Sequence, residues 1–268
     1  MKRGVLIGDM HTGSLVALAD PSRCKSRDQF SPLRRHFFNR WRKYAHGPWH
    51  APDFMAIVGD AIDGRSRRDG GVGEWTTDIW AQVAHAAHLI RMWEPKKVYV
   101  VLGSDYHVKL DDTGLYAEEH LARELGAEFA PGQSHLPPDE RMRSDFDMPL
   151  EADGVLFHLC HAVGYTKNMA YRGTSLGVEM LQAALHMPEA DVLVRAHTHY
   201  FWHAESGSTH GFILPCWQGK TPFMRKKNPL AVNPHIGFVG VECDGGAFSY
   251  TKYLTEIQGA KVRPRAKV

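Results

Sequence analysis

Five short apolar runs in the first 200 residues each deliver a polar residue at their C-terminal end, and this recurrence constrains the fold more than any other feature. Val5 to Gly8 leads into Asp9; Phe54 to Val58 into Gly59 and Asp60; Val98 to Leu102 into Gly103, Ser104 and Asp105; Val155 to Cys160 into His161; and Val192 to Arg195 into Ala196 and His197. Short apolar runs of this kind predict strands buried on both faces. Helical spacing appears between them, in Phe30, Leu33, Phe37, Trp41 and Tyr44, and again in Ile79, Val83, Ala86, Ile90 and Trp93, which Pro95 closes. Leu115 to Leu125, stopped by Gly126, and Leu176 to Leu185, followed by Pro188, are further helices. Strand followed by helix, repeated, predicts an α/β architecture.

Beyond residue 200 the texture changes to apolar segments punctuated by glycine: Phe212 to Leu214, Ile236 to Cys243 and Phe248 to Leu254, with Gly245-Gly246 as a hairpin turn. These predict strands of a second sheet or of an antiparallel edge. The expected layering is two mixed β-sheets packed face to face as a sandwich and flanked by helices. With 43% of its residues hydrophobic, the chain can furnish the core of one domain over residues 1–260, with residues 261–268 as a basic tail. The segment from Ala130 to Pro149, rich in Pro, Asp, Arg and Ser, reads as a loop, either a lid or an excursion.

A formal net charge of +2 gives no global electrostatic grip on nucleic acid. The four cysteines form no CxxC pair, which argues against a zinc ribbon and a disulfide scaffold and fits a reducing cytoplasm. No run of about 18 apolar residues occurs, so no membrane partner is expected. Composition does not set an oligomeric state.

Open α/β sheets bind ligands beyond the carboxyl ends of their strands, and here five strand ends each present a candidate metal ligand. Singly, each signal is weak, because an Asp after a strand is ordinarily a turn or cap residue. His197-Thr198-His199 says more, since two imidazoles two residues apart on an extended segment can address neighbouring ions. Seventeen histidines in 268 residues raise the same expectation.

The order DMH, GDAID, GSDYH, an isolated strand-end His161 and AHTH resembles the calcineurin-like metallophosphoesterase superfamily, whose pattern is DxH, GDxxD, GNH[DE], H and GHxH. The resemblance spans residues 5 to 200. The segment Leu214 to Gln218 and the GSDYH variant are also similar to an uncharacterised phage and prophage branch, which implies the cytoplasm of a bacterial or phage-infected host cell. The resemblance implies a four-layer α/β/β/α metallophosphoesterase fold and a dinuclear centre, with Asp9, His11 and His199 on the first metal, His161 and His197 on the second, and Asp60 bridging. Mixed His and Asp ligands suit Mn, Fe, Zn or Ni more than Ca, with manganese the leading expectation. The activity implied is hydrolysis of a phosphomonoester or phosphodiester by a metal-bound hydroxide, with nucleotides or nucleic acid as attractive substrates. The alternatives are a protein or small-molecule phosphomonoesterase, and a metal-binding scaffold without turnover.

The chain departs from the family at GSDYH. Ser104 stands where an Asn carbonyl would ligate the second metal, and Asp105 where the family has the His credited with protonating the leaving group. Ser104, Asp105 or His107 must then take the ligand position. His107 is the candidate acid, Asp63 the carboxylate to orient it, and Arg65 a candidate for phosphate recognition.

Other features carry blander expectations. His85 and His88 read as solvent-facing, and His158 as buried or supporting a ligand. Trp202, Trp217 and Phe223 read as core rather than an aromatic wall for a base, and Arg34, Arg35, Arg40, Arg42 and Lys43 as the solvated face of a helix.

Overall fold

A computed structural model describes residues 1–24, 28–65, 70–110, 115–164, 172–221, 224, 226, 233–255 and 257. The basic tail at 261–268 and Phe223 therefore lie outside the described residues. The five expected strands form as β1 (Lys2–Ile7), β2 (Phe54–Val58), β3 (Val98–Val101), β8 (Val155–Cys160) and β9 (Val192–Arg195). The helices are α1 (Ser31–Ala45), α2 (Ile79–Arg91), α3 (Asp105–Val108), α4 (Ala117–Leu125) and α5 (Arg172–His186). The remaining strands are β4 (Lys109–Leu110), β5 (Leu115–Tyr116), β6 (Ser144–Asp145), β7 (Asp147–Ala152), β10 (Trp202–Ser206), β11 (Thr209–Ile213), β12 (Ile236–Asp244) and β13 (Ala247–Thr255).

Side-chain alternation along these strands sorts the core into three bodies. Val5 and Ile7 of β1, with Met55 and Ile57 of β2, pack under Phe37, Trp41, Val83, Ile90 and Leu121 of the helices. Leu6, Phe54, Ala56 and Val58 point the other way and meet Phe157, Leu159, Val192 and Val194 of a second sheet. Leu193, on the outer face of that sheet, packs with Leu176 and Met180 of α5. The layers are therefore α/β/β/α, as expected. The first sheet runs β13-β12-β1-β2-β3-β6 and the second β10-β11-β9-β8-β7. Parallel pairing of β1 with β2 and β2 with β3 brings their C-terminal ends together, as does pairing of β8 with β9. The turns that carry the candidate ligands thus converge at one end of the sandwich.

The late strands divide between the sheets. Strand β11 joins the second sheet parallel to β9, whereas β12 and β13 form the antiparallel edge of the first, with Val5 opposite Gly240. Gly245 and Gly246 turn that hairpin with φ of 57° and 87°, the doubly positive backbone that a type I′ turn demands. The end of the segment read as a loop is instead β6 and β7. Met148, Leu150 and Ala152 alternate inward along β7 while Pro149 disguises it. Because β7 is an edge strand, the missing amide hydrogen of Pro149 is tolerated.

His85 is not solvent-facing. It is buried, and its Nε2 accepts the Asp20 backbone N–H at 2.9 Å, while His88 pairs with the Asp20 carboxylate at 2.9 Å. Burial, then the neighbouring His88 charge, pushes the His85 pKa down to about 4. Its folded value lies below the unfolded one of about 6.5, so its contribution is present above pH 6.5 and lost as pH falls through 4. The contribution is on the order of 3 kcal/mol. Replacing His85 with Gln, whose amide oxygen can still accept from Asp20, is expected to flatten the difference in urea midpoint between pH 4 and 6.5. An unchanged pH profile would contradict this assignment.

The basic cluster on α1 also divides. Arg35, Arg42 and Lys43 are exposed as expected, but Arg34 is buried and donates to the Leu15 carbonyl and to Asp28. Trp217 lies in the core against Trp41 and Phe37, whereas Trp202 is exposed.

Candidate metal centre

Eight described non-glycine residues have left-handed backbone, and five of them are Asp9, His11, Asp60, His197 and His199. Such conformations cost on the order of 1–3 kcal/mol each and persist where the surrounding structure imposes them. Here each strand ends abruptly and its ligand residue is turned into the crevice. Neighbouring glycines make the approach possible. A Cβ on Gly59 would fall 2.4 Å from the His161 ring, and one on Gly103 would fall 2.2 Å from the Asp60 carboxylate.

Two donors held about 2.0–2.1 Å from a tetrahedral cation are about 3.3 Å apart, which sets a geometric test. In the first group, His11 Nε2 lies 3.0 Å from His199 Nε2, and Asp9 Oδ1 is 3.6 Å from the former and 3.3 Å from the latter. In the second, His161 Nε2 is 3.1 Å from Asp60 Oδ2 and 3.2 Å from His197 Nδ1. Asp9 Oδ1 is buried and accepts no hydrogen bond, an expense that a cation among these three donors would relieve. The residues fit metal ions.

Hydrogen bonds preset these candidate ligands. The Val58 carbonyl accepts from His161 Nδ1 at 2.9 Å, and Asp63 Oδ1 accepts from His11 Nδ1 at 3.0 Å, so each ring turns Nε2 inward. Asp9 Oδ2 accepts the His197 N–H at 2.8 Å, tying the first motif to the last. Burial opposes charge on His11, but the Asp63 and Asp9 carboxylates overcome it and raise its pKa to about 10. At His161 burial is likewise outweighed, chiefly by Asp60, again to about 10. Asp60 is held well below the usual carboxylate range: burial pushes it up, and His161 more than reverses this. A crevice that retains protons on two buried imidazoles has the field to retain cations.

The altered third motif divides its duties. The Ser104 N–H donates to Asp60 Oδ1 at 2.8 Å, and its hydroxyl lies 3.1 Å from both Asp60 oxygens, so Ser104 secures the carboxylate. Asp105 is exposed, faces Lys109 at 3.9 Å and belongs to none of the groups of metal donors among the described residues. His107 gathers with His11 and Asp60, its ring 4.6 Å from that of His11. It therefore stands on the His11 side rather than beside His161 and His197. Asp63 does not orient His107 through its carboxylate, which lies 3.7 Å away; the Asp63 carbonyl accepts from His107 Nδ1 at 2.6 Å. The carboxylate serves His11 and Gln218 instead. Burial, then the charge on His11, lowers the His107 pKa. Arg65 is exposed, directly after Gly64, whose backbone lies against that of His107. His158 sits on the outer side of β8 between Asp147 and Arg195, away from the centre.

Two supporting residues were not visible in the sequence. Glu118, fully buried in α4, accepts the Ala61 N–H at 2.7 Å and the Gly103 N–H at 2.5 Å, joining the second and third ligand turns. Burial, then the Asp60 charge, raises its pKa to about 7. Gln218 donates to Asp63 Oδ1 at 3.0 Å. Glu118 reads as an acidic first-turn residue of a helix, and only α4 packing beneath the turns reveals its partners.

The resemblance to the calcineurin-like metallophosphoesterases holds in the fold. It rests on the α/β/β/α layering and on the five motif turns meeting at one end. No family model and no curated protein matches the chain. Among solved structures it is similar to Vacuolar Protein Sorting 29 from Cryptosporidium parvum, at 13% identity and a TM-score of 0.47 over 95% of this chain and 97% of that one. It is similar also to wild-type Vps29 complexed with Zn2+ from Entamoeba histolytica, at 13% identity and 0.44 over 94% and 98%. An archaeal phosphodiesterase matches at 9% and 0.44 over 94% and 99%. The phage and prophage branch is unsupported.

Proposed function

We propose that this chain is a phosphoester hydrolase that works with two divalent transition metal ions. The observation that carries the reading is that Asp60 belongs to two donor groups at once, one with His11 and His107 and one with His161 and His197. Asp9 and His199 complete the first side, with His11. A carboxylate with two oxygens suits a bridge between cations about 3.5–4 Å apart. Manganese, iron, zinc or nickel fit the mixed donors, manganese foremost. Bound there, the ions would neutralise charge on the phosphoryl oxygens and make water nucleophilic at neutral pH.

The chain's own residues supply positioning and protons. With Nδ1 committed to the Asp63 carbonyl, the proton that protonated His107 can surrender is the one on Nε2. Its lowered pKa favours release toward a leaving-group oxygen. Arg65 is assigned to phosphate recognition, through the planar donors of its exposed guanidinium. Ser104 keeps Asp60 oriented rather than ligating a metal through a carbonyl. Asp60, His161 and His197 would then hold the second ion, which would bind the more weakly of the two. Phosphomonoesters and phosphodiesters, nucleotides and nucleic acid among them, are within this chemistry.

Chelator-stripped protein reloaded with Mn2+, Zn2+ or Ni2+ tests the reading on p-nitrophenyl phosphate and bis(p-nitrophenyl) phosphate. Turnover of either is expected; turnover of neither, with metal bound, would make the chain a metal-binding scaffold. His107→Ala is expected to lower kcat about a hundredfold or more for alkyl esters and far less for p-nitrophenyl esters, whose leaving group needs no proton. Equal losses would point to a ligand role instead.

A further inference from the structure

Of the four groups of metal donors among the described residues, three meet in the centre above and the fourth stands apart. It comprises His203, Glu205 and His210 on the β10–β11 hairpin. His203 and Glu205 are two residues apart on β10 and so share a face, and Glu205 is registered directly opposite His210. His203 Nε2 lies 3.2 Å from His210 Nδ1, close to the edge of a zinc tetrahedron, which is about 3.3 Å. One donor atom from each of the three residues falls within 4.8 Å of the others.

We propose that His203, Glu205 and His210 form a separate zinc site, with water as the fourth ligand. The site is independent of the hydrolytic reading. The Tyr250 hydroxyl lies 3.1 Å from His203 Nδ1 and presets the ring. When that hydroxyl donates to Nδ1, the His203 proton sits on Nε2 and is given to His210 Nδ1. Zinc displaces this proton, Nδ1 takes one up, and the same contact with Tyr250 reverses direction to hold the ligand ring.

The location points to a structural role. Strand β10 is the edge of the second sheet and β13 the edge of the first. His203 packs against Phe212 and against Tyr250 of β13, both at 4.7 Å between ring centroids, and His210 lies 5.0 Å from Phe248 of β13. A metal here would pin the hairpin where the two sheets part. Lys252 is the cation facing the group, and its Nζ sits 5.1 Å over the Phe201 ring.

The test is calorimetric titration of the chelator-stripped full chain with Zn2+, comparing wild type with His210→Ala and Glu205→Gln. Wild type is expected to bind one equivalent more than His210→Ala, and Glu205→Gln to weaken that equivalent about tenfold or more. Phosphoesterase activity should be unchanged in both. The Glu205 side chain is exposed, so its variant decides the question if His210→Ala fails to fold. Identical stoichiometry and affinity in wild type and Glu205→Gln would overturn the proposal, as would an anomalous zinc signal confined to the strand-end centre.

Discussion

Asp60→Asn is expected to lower kcat by about a thousandfold or more and to remove one of the two metal equivalents proposed for the strand ends. The expectation follows from how much converges on this one carboxylate. It pairs with His161, accepts the Ser104 N–H and hydroxyl, and belongs to both donor groups. Asn keeps the shape but offers one acceptor, and its NH2 must face either an imidazole or the Ser104 N–H. Burying that mismatch costs about 1–3 kcal/mol. Titration of His161 adds a readout that needs no substrate. Without Asp60 to hold its charge, the pKa of His161 should fall from about 10 in metal-free protein, as NMR would show. Full activity with both equivalents bound would mean that Asp60 is not the bridge.

Metal uptake at about pH 8 is expected to expel about two protons, one each from His11 and His161. Both are held protonated to about 10, His11 chiefly by Asp63 and then Asp9, and His161 chiefly by Asp60. Their folded values lie above the unfolded value of 6.5. Their contribution to stability of the stripped protein is therefore complete below pH 6.5 and lost as pH rises through 10. Cations should restore stability in that window by replacing the protons. Calorimetry in buffers of differing ionisation enthalpy measures the protons released, and urea midpoints between pH 6 and 10 measure the linkage. A flat profile with no proton release would show that the two rings are neutral before metal arrives.

The candidate ligands were legible in the sequence because their motifs follow buried strands, and five hydrophobic runs that each end on a polar residue, in a fixed order, are hard to assemble by chance. The layering was legible for the same reason: uninterrupted apolar strands need cover on both faces. Strand β7 was not, since Pro149 and the charged residues around it carry the signature of a loop until the edge position excuses them. His85 was misplaced because helical periodicity shows which way a side chain points and not what packs there, in this case the Asp20 backbone.

The sequence by itself determined the strand-helix order, the strand ends that carry Asp9, His11, Asp60, His161, His197 and His199, and the departure at Ser104. These are properties of local pattern and of residue identity at fixed spacing. Only the tertiary structure decided that Ser104 holds Asp60, that His107 stands beside His11, that Glu118 ties two ligand turns together, and that His203 and His210 face each other beside Tyr250. Each of those contacts joins segments through strand register or layer packing, and hydrogen-bond partners a few ångströms apart in space leave no periodicity along the chain.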